Sequence, residues 1–371
     1  MMPVLYVGHY RESSGWGQVT RDQILALDRA GVEVVPRSLD LGLTWAQVPD
    51  RIIELEKGDP TKCEVIVQHV LPHHMKYDSH FRKNIGMFEL ETMNLQHTQW
   101  VDHLNIMDEI WVPCQDMLNM KGIKSKTVWV PHACDEEEYK QDLPGIALDH
   151  LANKFIFYFI GTFNRRKHLS ALVRAFHTEF DPFEPVELVI KTNRPGTNSE
   201  ELAQEVNGMC QKIKHNLQLY DDMERYKQET IITVDIPRNQ LLALHKACHC
   251  LVMPSFGEAW CAPVFDAMAM SNIVIAGKFG GPKDYINDEL SGLLVDGSME
   301  PVFGESEVFN GFGTARELEF DISICDLQKK MRQAYHLTHA QHLEMSTYAS
   351  RVAAAYSYAV VGERMKELLS V

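Results

Sequence analysis

Short apolar runs alternate along the chain with segments whose apolar positions recur at helical spacing. Val4–Val7 predicts a strand and Gly8–Gly17 a loop. Val19, Ile24, Leu25 and Leu27 predict a helix over Gln18–Ala30, stopped by Gly31. Further strands are predicted at Val32–Val35, Glu64–Val67, Glu109–Val112 and Thr127–Val130, the last two running into a proline. From about Asp135 to Asn153 the pattern lapses into an acidic, polar stretch with Pro144 and Gly145, which predicts a linker. The alternation then restarts. Strands are predicted at Phe155–Ile160, Val186–Ile190, Ile231–Val234, Leu251–Met253, Ile273–Ala276 and Leu293–Val295. Helices are predicted at Leu169–Phe176, Asn198–Lys227 (one or a pair), Gln240–Ala247 and Ala262–Met270. From Ile322 the pattern is helical, ending in Arg351–Leu369. This is the grammar of parallel sheets with crossover helices. It predicts an α/β chain with one domain over residues 1–150, a second over 151–340, and C-terminal helices over 341–371. Ligands of such sheets sit outside the carboxyl ends of the strands.

Composition narrows the function. The 371 residues are 45% apolar and 23% charged, with a formal net charge of −15. That acidity disfavours a broad grip on nucleic acid or anionic lipid, while leaving room for a local basic pocket. Eight scattered cysteines form no C-x-x-C pair, so reduced core thiols in a cytoplasmic protein are expected rather than disulfides or zinc. Cys248-His249-Cys250 leads into an apolar strand and reads as core. The apolar start Met2–Val7 is one strand long and lacks a basic flank, so no signal segment is expected. No run approaches the roughly 18 apolar residues of a membrane span.

The candidate chemistry lies at two strand exits. In "PSFGEAWCAPVFDAMAMSN" the chain leaves a strand at Met253-Pro254, turns at Gly257 and places Glu258 ahead of a helix starting near Cys261 or Ala262, with Pro263 in its first turn. The free N–H groups of that helix suit a phosphate, and Glu258 and Asp266 suit sugar hydroxyls. Local physics alone leaves open a plainer reading, in which both acids serve the helix end. In "FIGTFNRRKHLSALVRAF" a strand and Gly161 lead to Arg165, Arg166 and Lys167 at a helix start. Cations are unfavourable there unless an anion compensates them, and a departing nucleoside diphosphate is such an anion.

The run "PSFGEAWCAPVFDAMAMSNIVIAGKFGGPKDYINDELSGLLVD" resembles the donor-binding signature of the retaining GT-B glycosyltransferases of family four, the glycosyl transferases group 1. The shared features are Pro-Ser, a Glu, seven residues, a second acid with Ala-Met-Ala, then Gly-Gly and Gly-Leu-Leu-Val. The resemblance implies a GT-B fold, two Rossmann-like doubly wound domains facing a central cleft, the acceptor bound by the first and the nucleotide sugar by the second. It implies Glu258 for the transferred sugar and Asp266, where the family usually has Glu, for the ribose. It implies Lys167 and Arg165 or Arg166 for the diphosphate, since Thr162 stands where the family has Arg. Gly161, Cys261, Ala262, Gly280 and Gly281 fall at positions that approach the nucleotide, with Cys261 replacing a glycine and Asp284 a further matching acid. In "GHYRESSGWGQVTRDQILALDRAG", Gly15 and Gly17 match the family's opening loop more loosely. Glu89 in "NIGMFELETMN" falls in the segment where many members carry a histidine, so the resemblance implies for it the polar catalytic role on the acceptor side, with Glu91 close by and His97 as the alternative.

The implied activity is transfer of a hexose-type sugar from a nucleoside diphosphate with retention, without a metal or other cofactor. A catalytically silent sugar-binding or scaffold subunit, or a nucleotide-sugar epimerase of the same fold, is the alternative. The acceptor stays open among glycans, lipid-linked sugars and other molecules, with nucleic acid disfavoured unless Arg11, Lys76, Arg82 and Lys83 gather. Peripheral membrane contact also stays open. His69, His73 and His74 in "QHVLPHHM" read as loop histidines lining the cleft rather than a metal set, with an acceptor-binding role open for them. Most tryptophans read as core, whereas Trp16 and Trp260 are candidates for stacking on a ring.

Overall fold

The computed structural model describes residues 3–40, 45–146, 148–303 and 315–370. The chain divides into two compact units. The first comprises the residues up to Glu138, a short segment ending at Glu317, and the residues from Ala354 onward. The second comprises Tyr139 to Asn310 and Leu318 to Ala353.

Unit 1 is built from β1 (Val4–Gly8), α1 (Gly15–Arg29), β2 (Val34–Ser38), α2 (Asp50–Leu55), β3 (Val65–His69), β4 (Lys83–Met87), α3 (Trp100–Asn105), β5 (Glu109–Val112) and β6 (Lys126–Trp129). Its six strands are all parallel in the order β2-β1-β3-β4-β5-β6. Helix α1 starts ahead of the predicted Gln18, because the Ser14 side chain caps it by accepting from the Gly17 N–H at 3.1 Å. Strand β4 escaped the pattern reading, since Lys83, Asn84 and Gly86 interrupt its apolar positions.

Unit 2 contains β7 (Phe155–Thr162), α4 (Leu169–Glu179), β8 (Val186–Asn193), α5 (Ser199–Leu217), β9 (Thr230–Ile232), α6 (Arg238–Ala247), β10 (Cys250–Met253), α7 (Ala262–Ala269), β11 (Ile273–Gly277), α8 (Gly281–Tyr285) and β12 (Leu293–Val295). Its parallel sheet has the order β12-β11-β10-β7-β8-β9. Central strand β7 buries Phe157, Tyr158 and Phe159 completely, as a strand covered on both faces must. An antiparallel hairpin, β13 (Gly297–Pro301) with β14 (Leu318–Ile322), follows, then α9 (Ile324–His336) and α10 (His339–Ala354). The uniformly helical end expected from Ile322 is thus preceded by a strand. The expected helix Arg351–Leu369 is broken at Ser357, the N-cap residue of α11 (Tyr358–Leu369). Helix α11 packs on α1, where Gly362 lies so close that a Cβ would sit 2.1 Å from the Ala26 carbonyl oxygen. Among the described residues, no helix is long and apolar enough to cross a membrane.

Both sheets reverse their winding once. In unit 1 the chain passes from β2 back across β1 to β3, and in unit 2 from β9 back across β7 to β10. The crevices that bind ligands in doubly wound sheets open at such reversals, beyond the carboxyl ends of the two strands concerned.

Candidate functional site

In unit 2 the two strands at the reversal deliver the two predicted motifs. The exit of β7 supplies Arg166 and Lys167, and the exit of β10 supplies Ser255 and Glu258. They converge on one oxygen. Glu258 Oε1 accepts from Lys167 Nζ at 2.5 Å and from Ser255 Oγ at 2.6 Å, with Arg166 Nη1 at 3.1 Å. Arg166 also donates to the Gly257 carbonyl at 2.7 Å. Lys167 and Glu258 are each only 8% exposed. Burial would raise the Glu258 carboxyl, but Lys167 and Arg166 more than offset it and hold it down at about 2. The backbone is pinned as firmly, because the Gly281 N–H donates to the Glu258 carbonyl at 3.0 Å. Glu258, Ser255, Gly257, Gly277, Phe279 and Pro282 line a small pocket.

The glycines here serve that loop. Gly280 has φ +68°, and a Cβ on it would sit 2.0 Å from the Glu258 carbonyl oxygen. One on Gly281 would sit 2.5 Å from Trp260 Cα. Both positions admit only glycine because two loops lie against each other. Gly161 gives Lys167 room, since a Cβ there would meet Phe159 and Lys167 at 2.9 and 3.4 Å. Cys261 occupies the N-cap of α7 at φ +68° and is buried, with Ala262 opening the helix. Burial pushes its thiol up.

The structure separates the two arginines that the sequence left equivalent. Arg165 is engaged by both oxygens of Glu319 on β14 and lies over the Phe256 ring. Arg166 is the one beside Glu258. Asp266 is buried and lies apart from this cluster's bonds. Arg238, at the start of α6, grips both of its oxygens, and the Tyr139 hydroxyl donates to Oδ1 at 2.8 Å. Burial would raise the Asp266 carboxyl, and Arg238 keeps it low. Sequence reading missed Arg238 and Tyr139. The signal for Arg238 was present, because a cation in a helix's first turn calls for a compensating anion. Trp260 is not free to stack on a ligand. It packs against Phe265 and Tyr285 at 5.2 and 5.0 Å between centroids and is 5% exposed. Conversely Trp45, read with the core, is 60% exposed.

In unit 1 a second cluster forms at the other reversal. Glu89, just beyond β4, is buried, and its Oε1 accepts from His69 Nε2 at 2.7 Å and His132 Nε2 at 3.2 Å. The Tyr6 hydroxyl bonds His69 Nδ1 at 2.8 Å. Burial would raise the Glu89 carboxyl, but the two imidazoles pull it well below the carboxylate range. His97 is exposed near Arg316 and has no part in this cluster. The rings of His73 and His74 lie tilted against each other, 4.0 Å between centroids. Gly17 is needed for packing, since a Cβ on it would fall 2.1 Å from the Glu12 carbonyl oxygen, whereas Gly15 faces open space. The basic residues proposed as a patch do not gather. Arg11 pairs with Glu56, while Arg82 and Lys83 lie at the opposite end of the sheet, bonded to the carbonyls of Leu369 and Leu368. Among the described residues, no group of three metal-ligating side chains is poised for an ion.

Residues 147–301 match the family model of the glycosyl transferases group 1. The whole chain also resembles solved structures. Sucrose-phosphate synthase from Thermosynechococcus elongatus superposes with a TM-score of 0.66 at 15% identity, covering 100% of this chain and 98% of that one. Anabaena Alr3699/HepE in complex with UDP-glucose gives 0.65 at 12% identity, covering 100% of each. The E. coli protein described as trehalose-6-phosphate bound with UDP-2-fluoro glucose gives 0.67 at 9%, covering 99% and 98%. The sequence matches no curated protein.

Proposed function

We propose that the protein transfers a hexose-type sugar from a nucleoside diphosphate to a hydroxyl acceptor with retention of configuration; the reading is supported by the match of residues 147–301 to the glycosyl transferases group 1 model and by the GT-B fold of the chain. The observation that carries this reading is the convergence of Arg166 and Lys167 on buried Glu258 at the winding reversal of unit 2. Carboxylate and cations are held in place before any ligand arrives, so little reorganisation is needed when charge develops.

In the reaction the bond from the anomeric carbon to the phosphate oxygen breaks, and its electron pair goes to the departing diphosphate. Arg166, Lys167 and the N-terminal amides of α7 stabilise that growing charge. Glu258 orients the sugar. The acceptor oxygen bonds the anomeric carbon on the face the diphosphate leaves, and the acceptor proton departs with the leaving group. The protein's own cations supply the role a metal would otherwise fill, so we propose metal-independent transfer. Structural neighbours were solved with UDP-glucose and UDP-2-fluoro glucose, which makes a uridine diphosphate sugar the first donor to test. Eight free cysteines fit a cytoplasmic setting.

A silent sugar-binding subunit is the competing reading. It is favoured by the engagement of Asp266, the expected ribose contact, by Arg238 and Tyr139. A thermal-shift screen against UDP-, GDP-, ADP- and TDP-sugars, followed by donor turnover with and without EDTA, separates them. The transferase reading expects one nucleotide class to raise the melting temperature and turnover to persist in EDTA. Binding without turnover supports the silent subunit, and no shift with any donor overturns both.

A further inference from the structure

Lys191, near the carboxyl end of β8, is a buried cation that the donor cluster does not use. It is 6% exposed. Among the described residues its Nζ makes one hydrogen bond, to the Thr192 carbonyl at 3.1 Å, and pairs with no carboxylate. Lys214, buried in the same unit, shows how such a group is ordinarily satisfied. It donates to the Glu229 carboxylate at 2.7 Å and to the Lys227 carbonyl at 2.8 Å. An ammonium has three N–H donors. Burying one with two of them unspent is costly, so its retention calls for an acceptor that arrives with a ligand. Burial lowers the Lys191 ammonium from its ordinary value, and Asp235 partly offsets this. Asp235 is exposed in the loop after β9, its Oδ1 3.5 Å from Nδ2 of Asn193 at the end of β8.

The sheet places this pair beside the candidate donor site. Lys191 pairs in register with Ile160 of β7 and Ile232 of β9. Registered residues of parallel strands share a face, as do residues two apart, so Lys191 lies on the face of Tyr158. The Tyr158 hydroxyl is 2.7 Å from Nδ1 of His245 on α6. Arg238 opens α6 and grips Asp266. Lys191 is therefore on the Asp266 side of the sheet, one strand beyond the β7 exit that supplies Arg166 and Lys167. The pocket beside Glu258 lies the other way, drawing Gly277 and Phe279 from the exit of β11. A nucleotide sugar laid along this edge, with its sugar at Glu258 and its phosphates at the cations, brings its base to the exits of β8 and β9.

An N–H donor beside a carboxylate matches one kind of base edge. Uracil, thymine and guanine place a ring carbonyl next to a ring N–H. Adenine and cytosine place an amino group next to a ring nitrogen that carries only a lone pair. Their amino group would meet the ammonium as a second donor, and their lone pair would face the carboxylate. We infer that Lys191 and Asp235 read the base of the donor, Lys191 donating to the ring carbonyl and Asp235 accepting from the ring N–H, and that they select uracil, thymine or guanine nucleotides over adenine and cytosine ones. The inference rests on the donor reading of unit 2 and adds the base to it.

Titration calorimetry of the full chain with UDP, CDP, GDP and ADP tests it. UDP and CDP differ only at the edge in question. The wild type is expected to bind UDP or GDP at least about tenfold more tightly than CDP and ADP. Lys191→Met keeps an unbranched stem without donors. It is expected to weaken the preferred nucleotide about 10- to 100-fold, the worth of a hydrogen bond from a charged group, and to leave CDP and ADP nearly unchanged. Lys191→Gln retains an N–H donor and should recover part of the preference. Exposed Asp235→Asn tests the same edge without disturbing the buried lysine and should also narrow the ratio. A lysine that only supports the fold would weaken all four nucleotides alike. That result, a ratio unmoved by Lys191→Met and Asp235→Asn, or a wild type that prefers CDP or ADP or none of the four overturns the assignment and leaves the donor reading standing. Binding of none of the four by a wild type that melts cooperatively overturns the donor reading, and the assignment with it.

Discussion

Replacing Glu258 by Gln keeps the side chain's size and its acceptor oxygen and removes only the charge. Three groups are then affected, because Lys167 and Arg166 both lie within 3.1 Å of that oxygen and Ser255 donates to it. The carboxyl stands at about 2 in the fold, against a reference of 4.5. The shift is worth about 3 kcal/mol at 1.36 kcal/mol per unit for a fully buried group. A depressed carboxyl contributes stability that is complete above its unfolded value and fades as pH falls from about 4.5 toward 2. Glu258→Gln should therefore lower the melting temperature at pH 7 by about 6 to 12 °C, taking 2 to 4 °C per kcal/mol for a unit of this size. At pH 3 the gap should narrow, because the carboxyl of the unfolded chain is by then mostly protonated while the folded one still holds its charge.

Scanning calorimetry of the full chain at both pH values, with and without UDP, measures this. Without Glu258 the two cations lack their shared carboxylate, so UDP should stabilise the variant at least as much as the wild type. Sugar transfer should fall by about a hundredfold or more, as for a misplaced substrate. A variant that melts with the wild type at pH 7 would refute the electrostatic reasoning. Loss of the UDP response along with turnover would show that Glu258 holds up the fold rather than the sugar.

Lys167→Met leaves a buried carboxylate with one fewer cation and should cost turnover about 10²- to 10³-fold. The double variant Lys167→Met, Glu258→Gln should be more stable than Lys167→Met alone, which a double-mutant cycle by urea unfolding would check. Away from the site, Lys214 is wholly buried on Glu229, which also bonds His177 at 2.5 Å. Glu229→Gln should cost about 3 to 5 kcal/mol by urea unfolding at pH 7, because it strands the lysine. Burial raises the Glu229 carboxyl, but His177 and Lys214 bring it below its ordinary value, so this loss should shrink on acidification below that value. Gly17→Ala places a methyl against the Glu12 carbonyl and should destabilise by about 1 to 3 kcal/mol.

Much of the geometry of the candidate donor site was legible because its signals are local. A proline after an apolar run, a glycine turn, a carboxylate and a helix start all fall within Pro254–Pro263, and local sterics dictate that geometry wherever the strand is placed. The cations at 165–167 were legible for a related reason, since a helix N-terminus repels them. What the sequence left open depends on residues distant along the chain. Arg165 and Arg166 are equivalent neighbours until β14 brings Glu319 to one of them. The partners of Asp266, Arg238 and Tyr139, come from 28 and 127 residues away along the chain. Gly280 carries a packing requirement that the sequence does not show, since the Glu258 carbonyl oxygen lies where its Cβ would be.

Unit 1 was harder to read for the same physical reason, carried further. Its site is assembled from single residues after β1, β3, β4 and β6, so no short stretch carries a motif. Tyr6, His69, Glu89 and His132 become a bonded chain only when parallel pairing sets those strand ends side by side. His9 carries no sequence signal at all. Its surroundings come from the fold, which sets its Nδ1 3.0 Å from the Leu39 carbonyl oxygen and 3.7 Å from Glu12 Oε1. A donor nucleotide has fixed charges that demand clustered cations, and clusters leave a trace in sequence. In unit 1 the polar groups come singly from separate strand ends, so the unequal legibility of the two units follows from how far apart along the chain their residues lie.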